Sequence, residues 1–320
     1  MADNPIKIDL RVDVSGTPGL DGDLSLAATA WLPAPHTLPA APAVVFAVPG
    51  GGYARGYFDI SAPGHSGYSQ AEDHVARGLV VIALDHPGVG DSSTPDPAAY
   101  TWETWAAAYD RAVRALAADL RAGTLLPDFP PLPSFAKIGI GQSMGGHITI
   151  VTQGRHATFD AIAPLGYSAI HTVLPQPGSE VGVPTPVTDW VWPFHWEDVP
   201  ADLLAADFSG GYPMRKTAPA WGSTTIPSCV GGMTAPGAVA RDAAAVEVPV
   251  FVGVGERDVC PTPRLEPSAY ASSNDITLRI VPRMAHMHNF ASTRRLLWDD
   301  LAAWIERVAR GAIDVKRARA

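Results

Sequence analysis

The pentapeptide Gly141-Gln142-Ser143-Met144-Gly145 follows directly on the apolar run Ala136-Lys137-Ile138-Gly139-Ile140, and no other feature constrains the fold of this chain as much. Glycines on both sides of a serine let a buried strand turn sharply into a helix, which holds the Ser143 side chain above the sheet edge with the Met144 N–H beside it. A serine hydroxyl is a poor nucleophile. A protein that uses one must lift it into a cleft, pass its proton to a base and stabilise the resulting oxyanion. The same pentapeptide also occurs as a plain glycine-rich turn, so a chemical reading needs partners elsewhere in the chain.

Three other segments supply candidates. Upstream, the buried-strand pattern Ala43-Val44-Val45-Phe46-Ala47-Val48 runs through Pro49 into Gly50-Gly51-Gly52-Tyr53. Successive glycines expose backbone N–H groups, which suits an oxyanion hole made by Met144 with Gly51 or Gly52. A tight turn is the plain alternative; the lysine and Ser/Thr of a phosphate loop are missing, as is a G-x-G-x-x-G fingerprint. Downstream, the β-rich segment from Val246 to Gly255 ends in a turn carrying Glu256 and Asp258, and Ile276-Thr277-Leu278-Arg279-Ile280-Val281 leads to His286-Met287-His288. A carboxylate and a histidine therefore follow two consecutive strands, both after the serine.

The chain order Ser143, Asp258, His286, together with the glycine loop, resembles the α/β-hydrolase superfamily. The segment Asp85-His86-Pro87-Gly88-Val89-Gly90-Asp91-Ser92 is similar to the D-x-P-G-x-G-x-S loop of its lipase, esterase and epoxide-hydrolase members. The resemblance implies that Asp85 and His86 are scaffold. It also implies an acid–histidine–serine triad of Asp258, His286 and Ser143, with Ala285 as the small residue before the catalytic histidine. Glu256 and His288 remain as competing acid and base, and His288→Ala is expected to keep activity. One departure is Pro49, which stands where relatives carry a histidine that helps fix the oxyanion loop. Haloalkane dehalogenase and epoxide hydrolase readings are disfavoured, because those relatives place an aspartate where Ser143 stands.

Composition fits this expectation. A chain of 320 residues that is 47% hydrophobic can bury a large core. Its formal charge of −9, with both signs interspersed, disfavours nucleic acid and anionic membranes as partners. Only Lys316-Arg317-Ala318-Arg319 is locally basic, as in a frayed tail. No signal-peptide pattern or bilayer-length apolar run occurs, so a soluble, cytoplasmic protein is expected. Cys229 and Cys260 are too few for a disulfide framework. No clustered His, Asp or Glu spacing supports a metal, and no cofactor is expected.

Periodicity completes the outline. Residues 6–14 and 24–32 alternate as an antiparallel hairpin, and further strands are expected at 43–48, 79–84, 136–141, 159–165, 248–254 and 276–281. Trp102, Trp105, Tyr109, Val113, Leu116 and Leu120 fall at helical spacing between Thr101 and Gly123, as do Leu297, Leu301, Trp304, Ile305 and Val308 within about 292–310. Strands alternating with helices predict an α/β fold with a mostly parallel sheet, helices on both faces and a site beyond the carboxyl ends of its strands.

Residues 166–245 break the pattern, with ten prolines between Pro175 and Pro236 and four of the nine tryptophans. This segment is expected to be a cap inserted after the sixth strand, the core being residues 1–165 and 246–320. Tyr53, Trp190, Trp192, Phe194, Trp196, Tyr212 and Met214 are candidates for an apolar pocket, or for the cap's own small core. The expected activity is hydrolysis of a small-to-medium hydrophobic ester or lactone by a serine carboxylic-ester hydrolase. A carbon–carbon bond hydrolase with the same triad and a silent ligand-binding homologue stand as alternatives.

Overall fold

Two kinds of strand follow from two kinds of sequence pattern. In β1 (Ile6–Asp13) apolar residues alternate with exposed ones, and it pairs antiparallel with β2 (Ser25–Leu32), Ile6 opposite Leu32 and Asp13 opposite Ser25. In β3 (Ala43–Val48) every residue is buried, as expected of a strand covered on both faces. The computed structural model describes residues 5–212 and 215–319, with side chains up to Asp314, so Met214 and the side chains of the basic tail lie outside the described residues.

After β3 come α1 (Gln70–Val75), β4 (Val80–Leu84), α2 (Trp102–Ala122), β5 (Ala136–Gln142), α3 (Met144–His156) and β6 (Ala161–Leu165). Then come α4 (Val191–Phe194), α5 (Ala201–Asp207), α6 (Ala240–Ala244), β7 (Val250–Gly255), β8 (Ile276–Val281) and α7 (Arg294–Arg319). The eight strands form one sheet in the order β1-β2-β4-β3-β5-β6-β7-β8, in which β2 is antiparallel to both neighbours and all pairs from β4 onward are parallel.

Alternate residues of the central strands feed two cores. Val44, Phe46 and Val48 pack with Tyr109, Val113 and Leu116 of α2 and Ile148 of α3, whereas Val45 and Ala47 face Leu297, Trp298, Leu301 and Ile305 of α7. Each such side chain contributes about 1.5–3 kcal/mol by leaving water. The bounds of α2 agree with its sequence signals: Thr101 and Thr104 form a capping box, and Gly123 ends the helix at φ 71°.

Boundaries differ from expectation where a residue cannot join the ladder. β7 begins at Val250 because Pro249 has no N–H to donate, and β6 begins at Ala161 because the Asp160 carboxylate instead accepts the Lys137 N–H at 2.8 Å. The last helix runs through Gly311 to Arg319, well past the expected 310, with Ile313 buried and continuing its apolar stripe. Helix α1 is too short to show a period, although Ser69 caps it by accepting the Glu72 N–H. Between β6 and β7, the described residues of 166–249 carry only α4, α5 and α6 among turns and loops. No helix among the described residues is long and apolar enough to cross a membrane.

The sheet also sets a test of its tightest crossing. A Cβ on Gly145 would lie 2.2 Å from the Val48 carbonyl oxygen and 2.7 Å from that of Pro49, both backbone atoms that cannot rotate away. Gly145→Ala is expected to destabilise the fold by about 1–3 kcal/mol or more, measured by urea unfolding. A wild-type midpoint would contradict the closeness of this crossing.

Candidate active site

Ser143 links β5 to α3 in a conformation (φ 55°, ψ −117°) that non-glycine residues rarely adopt. Its N–H donates to the Leu165 carbonyl at 2.7 Å, and its carbonyl accepts from the His147 N–H at 3.1 Å, so neighbouring elements hold the strain in place. It stands at the N-cap of α3, yet its side chain makes no capping bond. The hydroxyl is partly exposed and 2.8 Å from His286 Nε2. His286 Nδ1 lies 2.6 Å from Asp258 Oδ1. Ser143, Asp258, His286 and the Gly50–Gly52 loop all follow carboxyl ends of parallel strands, at one edge of the sheet.

The competing residues take other places. Glu256 accepts the Arg283 N–H at 2.8 Å, bracing the turn before the histidine loop. His288 directs Nε2 at Asp258 Oδ2 (2.7 Å), so the carboxylate lies between two imidazoles and also accepts the N–H groups of Gly255 and Val259, each at 2.8 Å. Burial opposes the charge on Asp258, but His288, His286 and their hydrogen bonds outweigh it and hold its pKa well below the usual carboxylate range. The sequence treats His288 only as a rival base, and the structure makes it a second donor to the acid. Its spacing of two from His286 was the available signal. Cys260 is buried with its thiol against Glu266 at 3.5 Å, and burial pushes its pKa up, away from thiolate chemistry.

The glycine loop packs on the serine turn: a Cβ on Gly50 would come within 3.1 Å of Ser143 Cβ and 2.3 Å of Gln142 Oε1. Among the described residues, none accepts a hydrogen bond from the N–H of Gly51, Gly52 or Met144. His86 Nε2 lies 2.8 Å from the Pro49 carbonyl oxygen and fixes the start of the loop. Asp85 is bound to the Arg55 guanidinium and to the Arg55 N–H at 2.6 Å, as a scaffold residue.

The expected pocket aromatics divide into two groups. Phe194 sets its ring edge to face with His286 at 5.2 Å, Trp190 stacks on Phe194 at 5.7 Å, and Tyr212 meets Trp190, Phe194 and Tyr53. Trp192 and Trp196 instead sandwich the Arg257 guanidinium, at 4.2 and 4.5 Å. Neither ring joins the cluster against His286, although Trp192 lines a cavity together with Asp258.

Burial gives His86 a measurable signature. Desolvation lowers its pKa from 6.5 to about 4, against the opposing pull of the Pro49 carbonyl. Between those values the unfolded chain binds a proton that the native state refuses. Stability is therefore fully present above pH 6.5 and is lost as pH falls through 4, by up to about 3 kcal/mol from this residue. Thermal melts at pH 7, 5.5 and 4 are expected to show a smaller acid-induced drop in His86→Gln, which keeps an N–H for the Pro49 carbonyl. Identical pH profiles would show that His86 does not refuse the proton.

Neither a protein-family model nor a curated protein matches this sequence. Solved structures do match in three dimensions. A thermophilic esterase from Thermogutta terrifontis superimposes with a TM-score of 0.58 at 13% identity, over 94% of this chain and 99% of the esterase. A haloalkane dehalogenase loop variant from Bradyrhizobium elkanii gives 0.60 at 13%, over 98% and 100%. A proline iminopeptidase from Mycobacterium smegmatis gives 0.55 at 14%, over 95% and 100%. Their names carry different activities, so what they share with this chain is architecture. Similarity at 13–14% identity shows the fold alone, and that fold, an eight-stranded and mostly parallel sheet with helices, is the α/β-hydrolase fold.

Proposed function

We propose that this chain is a serine hydrolase that cleaves a carboxylic ester or lactone of a small-to-medium hydrophobic substrate through an acyl-enzyme on Ser143. The observation that carries the reading is the unbroken relay from Asp258 Oδ1 through both nitrogens of His286 to Ser143 Oγ, at 2.6 and 2.8 Å. Such a relay fixes the imidazole tautomer: a proton on Nδ1 faces the carboxylate, leaving the Nε2 lone pair for the serine proton.

In the acylation step Ser143 Oγ attacks the substrate carbonyl carbon while His286 Nε2 takes its proton. The tetrahedral oxyanion is received by the Met144 N–H and by an N–H of Gly51 or Gly52, at the positive end of the α3 dipole. Collapse expels the alcohol, which leaves with the proton from Nε2. Water then repeats the sequence on the acyl-enzyme, releasing the acid and restoring Ser143. Asp258 stays ionised throughout and stabilises the imidazolium. The strain at Ser143 supports a catalytic reading over a silent binding module, which would have no use for it.

In this reading residues 166–245 act as the cap. Trp190, Phe194, Tyr212 and Tyr53 offer an aromatic wall beside His286, which suits a substrate with an apolar or ring-bearing part. The esterase among the matching structures agrees with ester chemistry on this fold.

Intact-mass analysis after treatment with a fluorophosphonate is expected to show one adduct on the wild type and none on Ser143→Ala. A folded wild-type protein that takes no adduct would overturn the reading. With p-nitrophenyl butyrate, His286→Ala is expected to lose on the order of 10³-fold or more in kcat. Contrary to the expectation from sequence, His288→Ala should lose about tenfold, the worth of a hydrogen bond to a charged group, and His288→Gln should recover most of it. Wild-type turnover in His288→Ala would make the second imidazole idle.

A further inference from the structure

The connection between β6 and β7 is tied to both loops that flank Ser143, and the ties meet at one buried carboxylate. On the glycine side, the Ala54 N–H donates to the Trp221 carbonyl at 3.0 Å and the Ser223 N–H to the Gly52 carbonyl at 2.9 Å, while Tyr53 forms an antiparallel bridge with Gly222. On the histidine side, the N–H groups of His286 and Met287 donate to the carbonyls of Pro193 and Phe194 at 3.1 and 2.8 Å. Asp207, the last residue of α5, lies between the two and is fully buried. Its Oδ2 accepts from the Tyr53 hydroxyl at 2.7 Å and pairs with His195 Nε2 at 2.9 Å. Its Oδ1 accepts from Trp221 Nε1 at 2.8 Å and from Arg215 at 3.3 Å.

Arg215 is the one cation of this cluster and has no exposed side-chain surface. One arm of its guanidinium reaches the Asp207 carboxylate and the Asp207 carbonyl (2.8 Å), and the other donates to the Gly52 carbonyl. Its face lies over the rings of Tyr53 and Tyr212, at 4.9 and 4.6 Å. A buried ion pair is a weak source of stability, because desolving two charges offsets their attraction and an apolar pair of equal volume often does as well. What the planar fork adds is direction, since it fixes a carboxylate and a carbonyl in one geometry.

The carbonyl so fixed belongs to Gly52, a residue at φ 77° with no side chain to wedge its peptide in place. The Gly52–Tyr53 peptide is held by Arg215 and by the Ser223 N–H, and its own N–H donates to the Gly50 carbonyl at 3.2 Å, which fixes the Gly50–Gly51 peptide as well. The Gly51 N–H therefore belongs to one anchored peptide plane, and the Gly52 N–H lies between that plane and the other. We infer that Arg215, oriented by Asp207, is a positioning residue for the oxyanion loop, and that Asp207 couples this loop through His195 to the histidine loop. The inserted segment thus braces a preassembled site. The inference rests on the serine-hydrolase reading for its effect on turnover, and not for its effect on the loop itself.

Two variants test it with p-nitrophenyl butyrate kinetics, thermal unfolding and amide hydrogen exchange of residues 50–53. Arg215→Lys keeps the charge beside Asp207 and loses the fork. The double variant Asp207→Leu with Arg215→Met removes both charges together and also takes the acceptor from Tyr53, Trp221 and His195. Both are expected to lose about tenfold or more in kcat with KM within about twofold, the effect of misplacing a preorganised group. Exchange of the Tyr53 N–H, which is bonded to the Gly50 carbonyl, should quicken in both. Wild-type kcat in Arg215→Lys, or kcat recovering along with the melting temperature in the double variant, would reduce the pair to a structural role and overturn the inference. If the double variant does not fold, Arg215→Lys decides alone. If the wild type neither labels with fluorophosphonate nor turns over, the hydrolase reading falls, and unchanged exchange of the Tyr53 N–H in Arg215→Lys would then overturn this inference separately.

Discussion

The close crossing of α3 over the ends of β3 and β5 is the contact on which the site depends. A Cβ on Gly141 would stand 2.0 Å from the Gly145 carbonyl oxygen, and one on Gly145 would stand 2.2 Å from that of Val48. Two missing side chains let backbone meet backbone, and the chain must then turn within a single residue. That residue is Ser143, whose strained conformation costs about 1–3 kcal/mol and persists because β6 and α3 both hold its backbone. The same crossing lays the glycine loop against the serine, so the Ser143 hydroxyl and the N–H groups of the loop are brought together by one packing event.

Around this crossing the Asp258 carboxylate and the Pro49 carbonyl are buried and held by several partners, which makes their geometry stiff. Asp258 receives two backbone N–H groups and two imidazoles, filling the acceptor capacity of a carboxylate. The second imidazole has opposing effects. It fixes the orientation of the acid and keeps it ionised, yet it shares electron density that would otherwise strengthen the bond to His286. Low local dielectric magnifies both effects. His86 solves a related problem from a different segment, holding the Pro49 carbonyl as a neutral donor.

Legibility tracked the range of the interaction. The helix from Trp102 to Ala122 could be bounded almost to the residue, because its cap, stripe and terminal glycine all lie within one stretch of chain. Strand ends were less legible where a proline or a side-chain bond removes one rung from the ladder, as at Pro249 and Asp160. The inserted segment was least legible. Its prolines suppress any period, and its contacts join residues far apart in sequence, such as Tyr53 with Asp207. The tryptophans there drew attention by composition alone, which does not separate Trp190, stacked on Phe194 beside the histidine, from Trp192 and Trp196, which sandwich Arg257.

The sequence by itself determined the α/β alternation, the turn at Ser143 and the order in which serine, acid and histidine follow their strands. Each of these is written in local patterns of glycine, apolar period and spacing. Only the tertiary structure decided that His286 faces the serine while His288 supports the acid, that Glu256 braces a turn, and that a buried aspartate and arginine tie the inserted segment to the glycine loop. These outcomes depend on which side chains meet after the sheet has closed. Hydrogen-bond contacts between segments remote in sequence set them, and no local pattern encodes such contacts.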